Sequence, residues 1–114
     1  MKRTMLALPL IALLAGCSPS VPKCGDSETT DLVKQIANEE MISQLGAESA
    51  KLFSYSVNAI RTTDENDKTG AFECAAQLEI HASNKGNSNE IPITYTVEMT
   101  DDGEEFYVNV YGLK

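Results

Sequence analysis

The chain has 114 residues, with 17 acidic and 9 basic side chains, a single histidine and no tryptophan, for a formal charge of −8. A surface this acidic repels phosphate backbones and anionic head groups, which argues against nucleic acid as a partner. Hydrophobic residues make up 42% of the chain and the acids are dispersed, so a folded chain is expected, at a length that suits one small domain whose modest core gains from a covalent staple.

The first seventeen residues stand apart from the rest. Lys2 and Arg3 precede an apolar stretch from Met5 to Leu14, interrupted by Pro9, and the small pair Ala15-Gly16 leads directly to Cys17. Ten or so apolar residues span roughly 15 Å as a helix, about half of a bilayer's hydrocarbon core, which is too short for a transmembrane anchor. A basic start, an apolar core and small residues before a cut are the parts of a secretory signal. With the cysteine placed after the small pair, the segment resembles the signal peptide and lipobox of bacterial lipoproteins. The resemblance covers residues 1–17 and implies cleavage before Cys17, lipid on its sulfur and acylation of the new amine. It also implies an address. In enterobacterial lipoproteins an aspartate after the lipidated cysteine retains the protein in the inner membrane, and Ser18 stands there, which points to the periplasmic face of the outer membrane. Several acyl chains on one residue make release from a bilayer very slow. Removing residues 1–16 takes away two basic side chains and no acid, so the mature product would carry a formal charge of about −10.

With Cys17 assigned to lipid, Cys24 and Cys74 remain, in a compartment that favours oxidation. Two thiols allow one intrachain pairing, and a closed loop of about 50 residues removes unfolded-state entropy worth roughly 4 kcal/mol. A redox or metal-binding pair would call for close spacing such as Cys-x-x-Cys, which is absent. Residues 17–23, with Ser18, Pro19, Ser20 and Pro22, read as a short stiff tether of at most ~25 Å, leaving residues 24–114 as a single domain close to the membrane.

A helix is expected next. Thr29 or Thr30 can cap it, and Asp31 lies in the first turn, where negative charge suits the exposed N–H groups. Leu32, Val33, Ile36, Ala37, Met41 (or Ile42) and Leu45 form one apolar stripe at helical spacing, expected to face the core, and Gly46 is a natural stop. Ala47 to Leu52 reads either as a further turn or as a connection.

From Phe53 the period changes to two. Phe53, Tyr55, Val57 and Ala59 alternate with polar residues until Ile60 falls out of phase, which predicts a bulge or a bend. Asp64 to Gly70 reads as a turn. Phe72, Cys74, Ala76, Leu78 and Ile80 then share one face of a strand, Asn84 to Asn89 form a loop, and Ile91, Ile93, Tyr95, Val97 and Met99 share a face of the next. Asp102-Gly103 has the composition of a two-residue hairpin turn, and Phe106, Val108 and Val110 mark a last strand.

One helix followed by four strands predicts an α+β domain: an N-terminal helix packed on the dry face of a four-stranded antiparallel meander, with one disulfide. Cys74 falls on the dry face and Cys24 just precedes the helix, so the staple pins the helix start to the sheet. The order of elements is similar to the cystatin architecture. Cystatin inhibitors use a Gln-x-Val-x-Gly hairpin and a Pro-Trp loop; this chain has neither, so the likeness implies architecture and not protease inhibition.

No catalytic constellation is legible. His81, the sole histidine, falls on a strand facing water, and the sequence holds no Gly-x-Ser-x-Gly. An EF-hand reading from Asp64 fails where Lys68 and Thr69 replace a ligand and the glycine, and zinc lacks both ligands and spacing. No cofactor is expected. The wet face of the sheet is the remaining candidate surface: it would carry Glu79, His81, Glu98, Tyr107 and Tyr111, aromatics beside acids as in recognition patches. The sequence thus predicts a membrane-anchored, non-enzymatic binding or accessory module that contacts an envelope protein. The alternative is an inhibitor or immunity-type lipoprotein that blocks a basic toxin or hydrolase.

Overall fold

The computed structural model describes residues 21–113; Cys17 and the segment before it lie outside the described residues. The order of elements is α1 (Ser27–Leu45), α2 (Ala47–Ala50), β1 (Phe53–Glu65), β2 (Phe72–Ala82), β3 (Asn87–Met99) and β4 (Phe106–Tyr111). The four strands form one antiparallel sheet in the order β1-β2-β3-β4, and α1 lies on one face of it. The fold is α+β, and the meander follows from turn-length connections between strands of period two. No helix among the described residues is long and apolar enough to cross a membrane.

The dry face is built from the alternating residues. Leu78 and Val97 are fully buried, Cys74, Ala76, Ile93 and Tyr95 nearly so, and Leu32, Val33 and Ala37 of α1 close over them. A fully buried leucine such as Leu78 contributes about 2–3 kcal/mol by its removal from water. Cys24 and Cys74 form a disulfide, with their Cα atoms 5.8 Å apart and a sequence separation of 50. The bridge joins the segment before α1 to the middle strands. Val21 packs against the core and Pro22 is buried, so the chain is folded onto the domain from Val21 onward.

The start of α1 differs from the sequence expectation. Asp26, not Thr29 or Thr30, is the N-cap residue, and the helix begins at Ser27. Thr29 is instead fully buried in the first turn, where its hydroxyl donates to the Lys23 carbonyl at 2.7 Å. The disulfide explains the shift. It draws the chain at Cys24 against the sheet, so the helix starts almost at once and its first turn enters the core. The far end of α1 also departs from expectation. Ile42 and Leu45 are 39% and 51% exposed, because the helix stands away from the sheet beyond Met41 and leaves a groove between them. Gly46 ends α1 as expected, and Ala47–Ala50 adds one short turn.

The strands run longer than the turn residues suggest. β1 continues through Asp64 and Glu65, and β3 begins at Asn87, so the connections are residues 66–71 and 83–86. Polar composition misleads here because an exposed strand end has no core to satisfy. Asn66 makes the first turn by accepting from the N–H groups of Lys68 and Thr69. The bulge expected at Ile60 is present: the β1–β2 register shifts between Asn58 and Arg61, and Ala59 takes φ +54°. The hairpin at Asp102-Gly103 is wider than a two-residue turn. Met99 pairs with Phe106, Thr100 and Glu105 share a hydrogen bond, and the Gly103 N–H returns to the Thr100 carbonyl at 2.9 Å. Only Gly103 has positive φ, as in a turn followed by a left-handed residue. The Thr100 hydroxyl donates to Asp102 at 2.6 Å. This bond and then the Glu104 N–H hold the Asp102 carboxyl below its ordinary pKa, and that stabilises the wider turn.

The domain measures 46 × 25 × 25 Å. Its two ends are distinct. The β1–β2 and β3–β4 turns, and Val21 against Gly70, lie at one end; the β2–β3 turn and the C-terminal part of α1 lie at the other.

Candidate functional site

The wet face is best described by its cross-strand rows. At the β2–β3 turn end, His81 stands opposite Ser88, with its Nδ1 2.8 Å from the serine hydroxyl. In the next row of this face Glu79 stands opposite Glu90, a like-charge pair that would repel if bare. The Asn58 side-chain amide relieves it by donating to Glu79 at 3.1 Å and Glu90 at 3.3 Å. At the other end Glu98 stands opposite Tyr107, whose hydroxyl donates to the Glu98 carboxylate at 3.0 Å. Burial first, then the Glu98 hydrogen bond and the charges of Glu98 and Asp101, raise the Tyr107 pKa, so the hydroxyl stays a donor through the neutral range.

Four of the five candidate residues therefore fall in two groups. Glu79 and His81 sit at one end of the face, and Glu98 with Tyr107 at the other. Ser88 and Glu98 are ten residues apart on β3, a span of roughly 33 Å. Tyr111 lies between, opposite Thr94 on β4, and is 57% exposed.

β4 is an edge strand, and its free side adds residues that alternation alone does not find. Ile36, Glu39 and Glu40 of α1 meet Val108, Val110 and Tyr111 in a groove of about 280 Å³. The groove brings a carboxylate face of the helix to an exposed tyrosine on an open strand edge. Glu39 and Glu40 are legible in sequence as the outer side of an amphipathic helix, but their proximity to Tyr111 depends on how α1 lies across the sheet. The β3–β4 turn adds Asp101, Asp102, Glu104 and Glu105, all exposed. The chemistry on offer is recognition: carboxylates for cations, tyrosines for stacking, and unpaired backbone groups along the β4 edge for an added strand.

Among the described residues no three His, Cys, Asp or Glu side chains are grouped as metal ligands. Cys24 and Cys74 are consumed in the disulfide. His81 has a serine partner.

No family model, curated protein or solved structure matches the chain. The likeness to cystatins accordingly stays a likeness in the order of elements.

Proposed function

We propose that this chain is a lipid-anchored envelope module that works by binding and not by catalysis, and that its contact surface is the β4 edge with Tyr111, Tyr107, Glu98 and Glu39. The observation that carries the reading is Tyr111, more than half exposed on an open strand edge and bordering the same groove as Glu39 and Glu40 of α1. Large aromatics left in water beside an unpaired edge are typical of a surface completed by a partner. The lipobox-like segment that ends at Cys17 supports attachment to a membrane, and Ser18 supports the outer membrane facing the periplasm.

The surface favours a cationic partner. An inhibitor or immunity-type role, in which the domain masks a basic toxin or hydrolase at its own cell's envelope, is the second reading, and the acidic groove at Tyr111 favours it. A lysine or arginine entering there would meet carboxylates and an aromatic face together. The test is a photo-crosslinking residue placed at Tyr111 in cells, with one at exposed Ser43 on α1 as the control. One dominant adduct from Tyr111, absent from the control, is expected; its identification separates a basic hydrolase or toxin from an assembly component. Equal adducts at both positions would count against the β4 surface.

A further inference from the structure

Among the described residues, the large apolar side chains left in water are Tyr107 and Tyr111 on β4, and Ile42, Leu45 and Leu52 on the C-terminal part of α1 and the link from α2 to β1, where α1 leaves the sheet. There the dry faces of β2 and β3 run on past the helix. A groove of about 580 Å³ opens between them, with Leu45, Leu52, Phe53 and Ile80 as its apolar wall and floor. That volume lies within the range of small-molecule sites.

Its electrostatics are the reverse of the rest of the molecule. The chain has 17 acidic residues, yet none lines this groove. Lys85, on the β2–β3 turn, is the one charged side chain in the lining, and among the described residues it makes no ion pair. The remaining rim is amide and hydroxyl, with Asn84, Asn87 and Asn89 beside it. An apolar trough that ends in a single cation fits a ligand with an apolar body and a negative head.

We propose that this groove binds a single-chain amphiphile with an anionic head, a long-chain carboxylate, with its tail on Leu45, Leu52, Phe53 and Ile80 and its head at Lys85. The site is independent of the β4 surface. Tyr111 stands opposite Thr94, six residues of β3 or roughly 20 Å from Ser88 in the groove lining, and no residue lines both this groove and the one at Tyr111, so the two surfaces can be occupied at once.

Global and local charge make opposite forecasts, which gives a decisive test. The mature lipoprotein, reconstituted in phospholipid nanodiscs, is photolabelled with a diazirine-bearing dodecanoate, and the labelled peptides are mapped by mass spectrometry. Dodecanoate and dodecyltrimethylammonium serve as competitors. The groove predicts adducts confined to the peptides around Leu45–Phe53 and Ile80–Asn89, with competition by the carboxylate and little by the ammonium. The exposed Lys85→Glu substitution, which turns attraction into repulsion at the head, should lower that labelling about fivefold with the circular dichroism unchanged. Leu45→Asp should lower it further. Labelling spread over the whole surface, equal competition by the cation, no labelling, or a Lys85→Glu protein that labels as the parent does would each overturn the proposal. None of these outcomes bears on partner capture at Tyr111.

Discussion

The Tyr95 hydroxyl donates to the Cys24 carbonyl at 2.8 Å across the buried centre of the domain. One hydrogen bond thus links the middle of β3 to the residue that carries the disulfide, immediately before α1. Burial raises the Tyr95 pKa to about 12 from its ordinary 10. The folded state holds this proton more tightly than the unfolded chain, so the contribution is full below pH ~10 and is lost as pH rises to ~12. Two pK units correspond to about 2–3 kcal/mol. Tyr95→Phe leaves the Cys24 carbonyl without its donor and is expected to cost about 1–3 kcal/mol at neutral pH. Urea unfolding at pH 8 and pH 11.5 checks both statements: the parent should lose stability between the two, and the phenylalanine variant should lose less.

The disulfide closes a loop that holds α1, α2, β1 and the β1–β2 turn and ends at the start of β2. Its removal by a Cys24→Ser/Cys74→Ser double substitution should cost roughly 4 kcal/mol. Chemical denaturation of the two proteins measures this. Hydrogen exchange should show the first turn of α1, where buried Thr29 depends on the position of Lys23, losing protection before the central strands do.

Two backbone positions should respond in opposite directions. Ala59 sits at φ +54°, a region that disfavours a side chain, so Ala59→Gly should be neutral or stabilising by up to ~1 kcal/mol. Gly112 has φ +102°, and a Cβ there would lie 2.9 Å from the Pro92 carbonyl oxygen, on backbone that cannot move aside. Gly112→Ala should destabilise by about 1–3 kcal/mol and loosen the end of β4. Thermal melts of both variants decide the signs.

These features mark what the sequence could and could not disclose. The alternation of Phe72 to Ile80 and of Ile91 to Met99 was legible because both strands bury the middle of one face, at Cys74, Ala76 and Leu78 and at Ile93, Tyr95 and Val97, and two remaining cysteines left one pairing. The out-of-phase Ile60 located the bulge because β1 alternates half-buried and exposed residues up to Val57 and then breaks that alternation. The helix start was misplaced because Thr29 has the composition of a cap, while its burial depends on a disulfide formed 50 residues away. Leu45 follows the core stripe in sequence but is held off the sheet by the groove it lines with Phe53 and Ile80. Similarly, alternation put Glu79 and Tyr107 on the same face without revealing that they stand at opposite ends, or that Glu39 and Tyr111 border one groove.

Substitutions on the β4 surface should separate binding from folding. Tyr111→Ala and Glu39→Lys alter exposed groups and should shift stability by no more than ~0.5 kcal/mol. Each should weaken capture of a cationic partner, the charge reversal chiefly through a slower association rate. Raising salt from low to physiological levels should slow association in the parent and much less in Glu39→Lys. Surface plasmon resonance with the partner crosslinked at Tyr111 provides the rates.

The tether is the claim on which the account turns, and intact mass spectrometry of the protein extracted from membranes tests it most directly. The account predicts a product that begins at Cys17, heavier than its polypeptide by a thioether-linked diacylglycerol and an amide-linked acyl chain, and absent when Cys17 is replaced by serine. A product that begins at any other residue, or one with an unmodified Cys17 sulfur, would contradict it.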